Sequence, residues 1–279
     1  MNRRYLYLVL FFTGALMLSS CRDKTLDMTV LTKTMYENVA FDEIYAEDAW
    51  QITIVQDSER QGVELEYSAF LEEYLQVMKS GSALNISFSQ RLNLPAQTVK
   101  NAKVYVSSLE KLSLTEASMV ELQGCFAGRS LVVNLGEASV LKGGFFTGNL
   151  NMELDEASIV ADFSAEGATC HLNLEEGSVF KGSLTAYELL EVEVSDASRM
   201  TTYGGSAPVA NVALEEASFV NMTQTMTDEM YITMKSASEA SVNVINRIDG
   251  TLQDASMLYL IGNPIMNLNC DDSSTISPL

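Results

Sequence analysis

The sequence predicts an all-β fold, a parallel β-solenoid with about 20 residues per coil, and three observations carry that prediction. A turn of polar residue, small residue and serine recurs eight times, the first residue being an acid in seven of them. It reads Glu116-Ala117-Ser118, Glu137-Ala138-Ser139, Glu156-Ala157-Ser158, Glu176-Gly177-Ser178, Asp196-Ala197-Ser198, Glu216-Ala217-Ser218, Ser236-Ala237-Ser238 and Asp254-Ala255-Ser256, with successive serines 21, 19, 20, 20, 20, 20 and 18 residues apart. Four residues before each serine stands Leu114, Leu135, Leu154, Leu174, Val194, Leu214, Met234 or Leu252, and six before it the position is apolar except at Gly250. A spacing of two is the strand period, whereas a helix would need three and four. One short strand with one apolar face cannot bury that face alone. Identical strands stacked every ~4.8 Å share a continuous interior, and eight coils then span roughly 40 Å. The small residue before each serine is expected to follow from crowding, a tight corner over an interior filled by Leu and Val.

The elements follow in chain order. Residues 1–20 begin with Arg3 and Arg4, continue through an apolar run from Tyr5 to Leu18, and end on small residues. That order is a secretory signal, and the run is short of the roughly 20 residues a membrane-spanning helix needs. Leu18-Ser19-Ser20-Cys21 resembles the lipobox of bacterial lipoproteins, which implies cleavage before Cys21 and lipid attachment to it. The implied partner is therefore a membrane, reached through acyl chains that each add about 0.8 kcal/mol per buried CH2. Residues 21–40 are polar and Thr-rich and read as a tether. Residues 41–279 are expected to form one β-helix domain. Within it, 41–110 supply a cap and irregular coils, since Ala49–Val55, Val63–Tyr67, Leu84–Phe88 and Ala102–Val106 alternate between punctuating Gly62, Gly81 and Pro95. Residues 111–258 are the regular coils and 259–279 a degenerate closing coil ending near Ser273 and Ser274.

Taken together, Phe41, Asp42 and Ile44, the strand Val104-Tyr105-Val106, the small-Ser turns and Tyr259–Pro264 resemble the GIN domain family of auto-transporter adhesin heads. The likeness covers about residue 40 to the C-terminus. It implies a right-handed, single-stranded parallel β-helix in a Gram-negative cell envelope, here on the outer membrane, and an adhesin role. The family's turns carry Gly and Ser; in this chain Glu, Ala and Ser replace them, which makes one edge more acidic.

Composition narrows the chemistry. There are 37 acidic and 17 basic residues, a net charge of -20 and a single histidine. Nucleic acid is excluded as the main partner, because phosphate binding needs clustered Lys and Arg. Stacking converts the sequence period into a ladder of carboxylates, Glu116, Glu137, Glu156, Glu176, Asp196, Glu216 and Asp254, thickened by Asp155, Glu175 and Glu215. Such a ladder is a candidate stripe for cations or cationic ligands, although charge on turns is ordinarily solvated surface and the spacing is not that of calcium loops. The serines have no plausible base: His171 stands on an outward position of CHLNL and no GxSxG elbow occurs. They are expected instead to hydrogen-bond corner backbone. Cys125, Cys170 and Cys270 lie at different phases of the coil and form at most one bridge. No cofactor and no resident metal are called for. The function expected is a non-catalytic surface for glycan or protein, with Phe145, Phe146, Tyr187, Tyr203 and Phe219 as contact candidates. The alternative is a carbohydrate-active enzyme on the same scaffold, which needs two acids within ~5–10 Å in a cleft.

Overall fold

The computed structural model describes residues 26–279, so the signal segment and Cys21 lie outside it. The chain begins with β1 (Val30–Met35), β2 (Glu43–Ala46), β3 (Gln51–Gln56), β4 (Gly62–Ser68), β5 (Leu75–Ser80), β6 (Ala83–Phe88) and β7 (Lys100–Val106). β8 (Lys111–Leu114) and β9 (Met119–Gln123) follow, then β10 (Cys125–Leu135), β11 (Val140–Lys142) and β12 (Phe145–Leu154). From there each coil is almost uninterrupted: β13 (Ile159–Leu174), β14 (Val179–Val194), β15 (Arg199–Leu214), β16 (Phe219–Met234) and β17 (Glu239–Leu252). β18 (Met257–Ile261), β19 (Ile265–Cys270) and β20 (Thr275–Pro278) close the chain. Neighbouring coils pair in parallel with a shift of one repeat, as in Leu154↔Leu174↔Val194↔Leu214. The architecture is a β-solenoid of about eight regular turns roughly 20 residues apart. No helix among the described residues is long and apolar enough to cross a membrane.

Burial explains the pattern. The position four before each serine is buried in all eight repeats, and burying a Leu or Val side chain stabilises by about 1.5–3 kcal/mol. The one exception six before the serine has a steric cause. Gly250 sits at φ +154, and a Cβ there would lie 1.8 Å from the Ile232 carbonyl oxygen. The chain passes too close to its neighbouring coil for any side chain.

The turns differ from expectation in their cause. Both residues before each serine are left-handed, for example Glu116 at φ 51 and Ala117 at φ 59, and Ser118 N–H donates to Thr115 O at 3.2 Å. This is a type I′ turn, whose mirror-image backbone suits the strand twist. The serine points inward and is fully buried, while the preceding alanine faces water. A Cβ at Gly177 would meet nothing within 4 Å. Crowding therefore does not select the small residue; left-handed φ favours Gly at this position, whereas the Glu or Asp beside it shows that the same φ also accepts a longer side chain.

The N-terminal region departs from chain order. β2 pairs in parallel with β6 on one side and β8 on the other, and β3 likewise lies between β7 and β9. The coil that comes first in sequence is thus second in space, with β6 and β7 stacked outside it. Beyond them the ladder turns antiparallel, β5 on β6, β4 on β7 and β1 on β4. Val30–Met35, expected within the tether, is strand β1: its β-branched residues suit a sheet edge, and Leu31 and Met35 rest against the core.

Coil one also carries a ninth turn. Asp48 and Ala49 are left-handed at φ 63 and 56, and the register puts them beside Glu116 and Ala117. Trp50 takes the place of the serine. It is fully buried and meets Phe88 with ring centroids 5.3 Å apart.

Candidate functional site

The turns build one continuous edge. Each alanine or glycine N–H donates to the carbonyl oxygen of the acid in the next coil, from Ala117 to Glu137 at 2.8 Å through Ala197 to Glu216 at 2.9 Å. Backbone bonding therefore fixes the predicted acids on consecutive rungs, about 4.8 Å apart. Asp48, which the sequence reading missed, heads the row, and Asp254 ends the series.

Electrostatics along the edge are uneven. At the N-terminal end Arg91, from the loop after β6, contacts Glu116 at 2.8 Å and holds its carboxyl below the ordinary range. Asp48 is pushed up, first by burial and then by Glu116. In the middle the carboxyls act on one another. Asp155, Glu156, Asp196 and Glu175 raise Glu176, with Asp155 strongest, and Asp196 raises Glu216. Lys235 reaches Glu215 at 3.0 Å. Among the described residues no group of three or more His, Cys, Asp or Glu side chains converges as a metal centre would require. The ladder spreads its charge along an edge instead of gathering it.

Past the last regular turn, Asp271 accepts from Asp254 N–H at 2.7 Å, Ser274 N–H at 2.8 Å and Ser273 N–H at 3.1 Å. These bonds hold its carboxyl well below the usual range.

The serine column is a feature of the interior. Ser238 Oγ donates to Lys235 O at 2.8 Å and Ser256 Oγ to Gln253 O at 2.7 Å, as expected for a corner. In the four turns from Ser118 to Ser178 the hydroxyl has no partner among the described residues. None of these buried hydroxyls is placed to meet a substrate. His171 Nδ1 lies 3.2 Å from Glu191 Oε2 on an outward row. Cys125, Cys170 and Cys270 are free thiols, and burial pushes Cys170 up to about 11.

The five aromatic candidates do not form a platform. Tyr187 and Tyr203 are exposed at separate corners, and Phe145 and Phe219 are half-buried. Phe146 is a correction: it is in the core at 1% exposure, because adjacent residues of a strand point to opposite faces and Phe145 takes the outer one. Two surface features were missed. Tyr231 stands exposed over a shallow depression of about 170 Å³ with Glu191, Glu193 and Asn211. A larger groove of about 650 Å³ lies on the outer face of β1, β4, β7, β3 and β9, lined by Gln51, Thr53, Glu64, Glu66, Asn101 and Lys103 among others. In it Asn101 Nδ2 donates to Glu66 at 2.9 Å, and Glu64 is held by Arg60 and Tyr105. Only the out-of-order stacking of β4 and β7 on β3 brings these residues together.

A chain whose regular coils carry no inserted loop, and whose polar side chains stand in rows on the outside, belongs to the class of β-solenoid repeat proteins. The sequence profile described as "Putative auto-transporter adhesin, head GIN domain" matches residues 40–264, and the chain belongs to that family. No curated protein matches it in sequence. Among solved structures it is similar to a "putative adhesin" of Parabacteroides merdae, with TM-score 0.70 and 12% identity over 90% of this chain and 96% of the other. A "putative adhesin" of Parabacteroides distasonis gives 0.68 and 12%, covering 91% and 98%, and a "putative lipid binding protein" of the same species gives 0.59 and 15%, covering 91% and 98%. At such identities these likenesses speak for the fold alone.

Proposed function

We propose that the protein is a non-catalytic, adhesin-like component of the bacterial cell envelope, anchored by lipid at Cys21 and offering the outer faces of its solenoid to a glycan or protein. The observation that carries the reading is the regularity of residues 111–258: every coil is close to 20 residues, so side chains are displayed in rows rather than enclosed. Membership in a family described as adhesin heads supports it. The test is access in intact cells, comparing protease or antibody access to the wild type and to Cys21→Ala. A cell-attached, accessible wild type with a released mutant is expected. A wild type reached only after the outer membrane is broken would remove the surface role.

A second reading is favoured by the N-terminal groove, whose lining holds Glu64 and Glu66 of β4 side by side with Lys103 and Asn101 of the paired β7. Two neighbouring acids in a cleft are what a carbohydrate-active enzyme requires. Release of reducing ends from a polysaccharide, abolished by Glu66→Gln with the fold intact, would establish it, and turnover unchanged in Glu66→Gln would reject it.

A further inference from the structure

One row on the outside of the regular coils is out of keeping with a solvated surface. The residue directly after each buried serine points outward, and the register stacks Met119, Val140, Ile159, Val179, Arg199 and Phe219 on successive rungs. Met119 and Ile159 are 36% and 39% exposed, Val140, Val179 and Phe219 are half-buried, and Arg199 lies 5.8 Å from the Phe219 ring. The next outward row, two residues on, is polar: Glu121, Lys142, Lys181 and Thr201 interrupted only by Ala161. The apolar row runs immediately beside the acidic turns.

We propose that this apolar row and the adjoining acidic turns form one docking surface for a basic amphipathic helix of a partner protein. The inference rests on the protein-binding part of the function proposed above. Charge complementarity selects a basic partner. Along the middle of the edge Glu137, Glu156, Glu176 and Asp196 have no Lys or Arg partner among the described residues, and the mutual repulsion that raises Glu176 is relieved by an approaching cation. Strand addition is excluded here, because β11, β13 and β14 are already hydrogen-bonded to a coil on each side. Spacing then separates the remaining shapes. Rungs recur every ~4.8 Å, whereas same-face side chains of an extended peptide recur every ~6.6–6.8 Å and slip by about 6 Å over four rungs. The seam of a heptad-patterned helix advances about 5.2 Å per apolar residue and slips by only about 1–2 Å over the same distance. A helix of about four turns lays its apolar seam on Met119, Val140, Ile159 and Val179 and its Lys or Arg flank on the turns.

The test is fluorescence anisotropy of the full chain, in detergent, with a labelled 18-residue helical peptide carrying leucines on a heptad seam and lysines on one flank. A scrambled peptide of the same composition serves as control. The seam peptide is expected to bind at least about tenfold more tightly than the scrambled one, a difference typical of a few buried apolar contacts. Ile159→Asn is expected to abolish that preference. Glu156→Gln combined with Glu176→Gln is expected to weaken binding and flatten its dependence on salt. All three positions face solvent, and circular dichroism and melting verify folding. Equal binding of the two peptides, or wild-type affinity in Ile159→Asn, overturns the proposal. Attachment of the full chain to cells is read in parallel: attachment without peptide binding overturns the helix partner alone, whereas absence of both overturns the adhesin-like reading as well.

Discussion

The two ends of the solenoid solve the same problem differently. At the N-terminal end the open core is sealed. Trp50 replaces the serine of the turn and meets Phe88, Tyr67 and Leu71 are buried in the same core, and antiparallel strands cover the outer edges. At the C-terminal end the last coil keeps its inward positions apolar but covers them less: Met266 and Ile276 align with buried Ile248 and Leu258, yet Met266 is 57% exposed, while Leu268 is half-buried against the core. The contrast shows that stacking alone fixes register but does not close a core. Among the described residues, bulky side chains and a change of strand direction close the core at the N-terminal end.

Substitutions at the two ends sharpen the difference. Trp50→Ser, which would make the first turn like the others, is expected to cost about 3–5 kcal/mol by opening a cavity at the sealed end. Met266→Ser at the open end is expected to change stability by less than ~1 kcal/mol. Urea unfolding of both proteins checks the pair, and comparable losses would show that the C-terminal end is closed in solution. Gly250→Ala, between the two, should cost about 2–3 kcal/mol because the new Cβ meets the Ile232 carbonyl. A neutral result there would mean that the last regular coil is loosely stacked.

Turn chemistry gives smaller effects. Ala197→Gly is expected to stabilise by about 0.5–1 kcal/mol, and Gly177→Ala to destabilise by a similar amount, since both positions require positive φ. Identical melting temperatures in all three proteins would reject the conformational explanation of the small residue. The smallest effect is read with pH. Asp271 has its folded pKa depressed, so its contribution is present above the unfolded value of about 3.9 and is lost as pH falls below it. Glu176 and Glu216 are raised, so their protonation in the folded state sets in above the unfolded value, and the repulsion is fully relieved once pH is below about 4.5. Asp271→Asn should therefore flatten the acid limb of a stability curve, while Glu176→Gln should raise the neutral plateau and leave that limb in place. Curves superimposing on the wild type would show that neither carboxyl is held as the geometry describes.

The regular coils were legible because each is local: a serine, its αL pair and two apolar residues lie within seven positions of one another. The acidic edge followed directly, since adding a register to a period makes a row. What could not be read involved distance or substitution. Asp48-Ala49-Trp50 is a turn of the same kind, but tryptophan in place of serine hides it from a search for repeats. The groove lined by Glu66 and Lys103 depends on β4 pairing with β7, from Gly62↔Tyr105 to Tyr67↔Lys100, and on the coil at 83–106 stacking outside the coil at 43–56. The outward row sits at a fixed position after each serine and is apolar in six of the eight repeats, Arg199 and Glu239 being the exceptions. It went unseen because apolar residues in a strand are read first as core, as Phe146 illustrates from the opposite side.

The displaced first coil has a consequence for how the molecule comes into being. A chain leaving a ribosome or a secretion pore presents residues 43–56 early, but that segment has both faces of its ladder vacant until 83–106 have arrived to cover one and 111–123 the other. Nothing regular can begin before about residue 106. After that point each further 20 residues find a finished edge waiting, so growth proceeds in one direction, coil upon coil, in the order of synthesis.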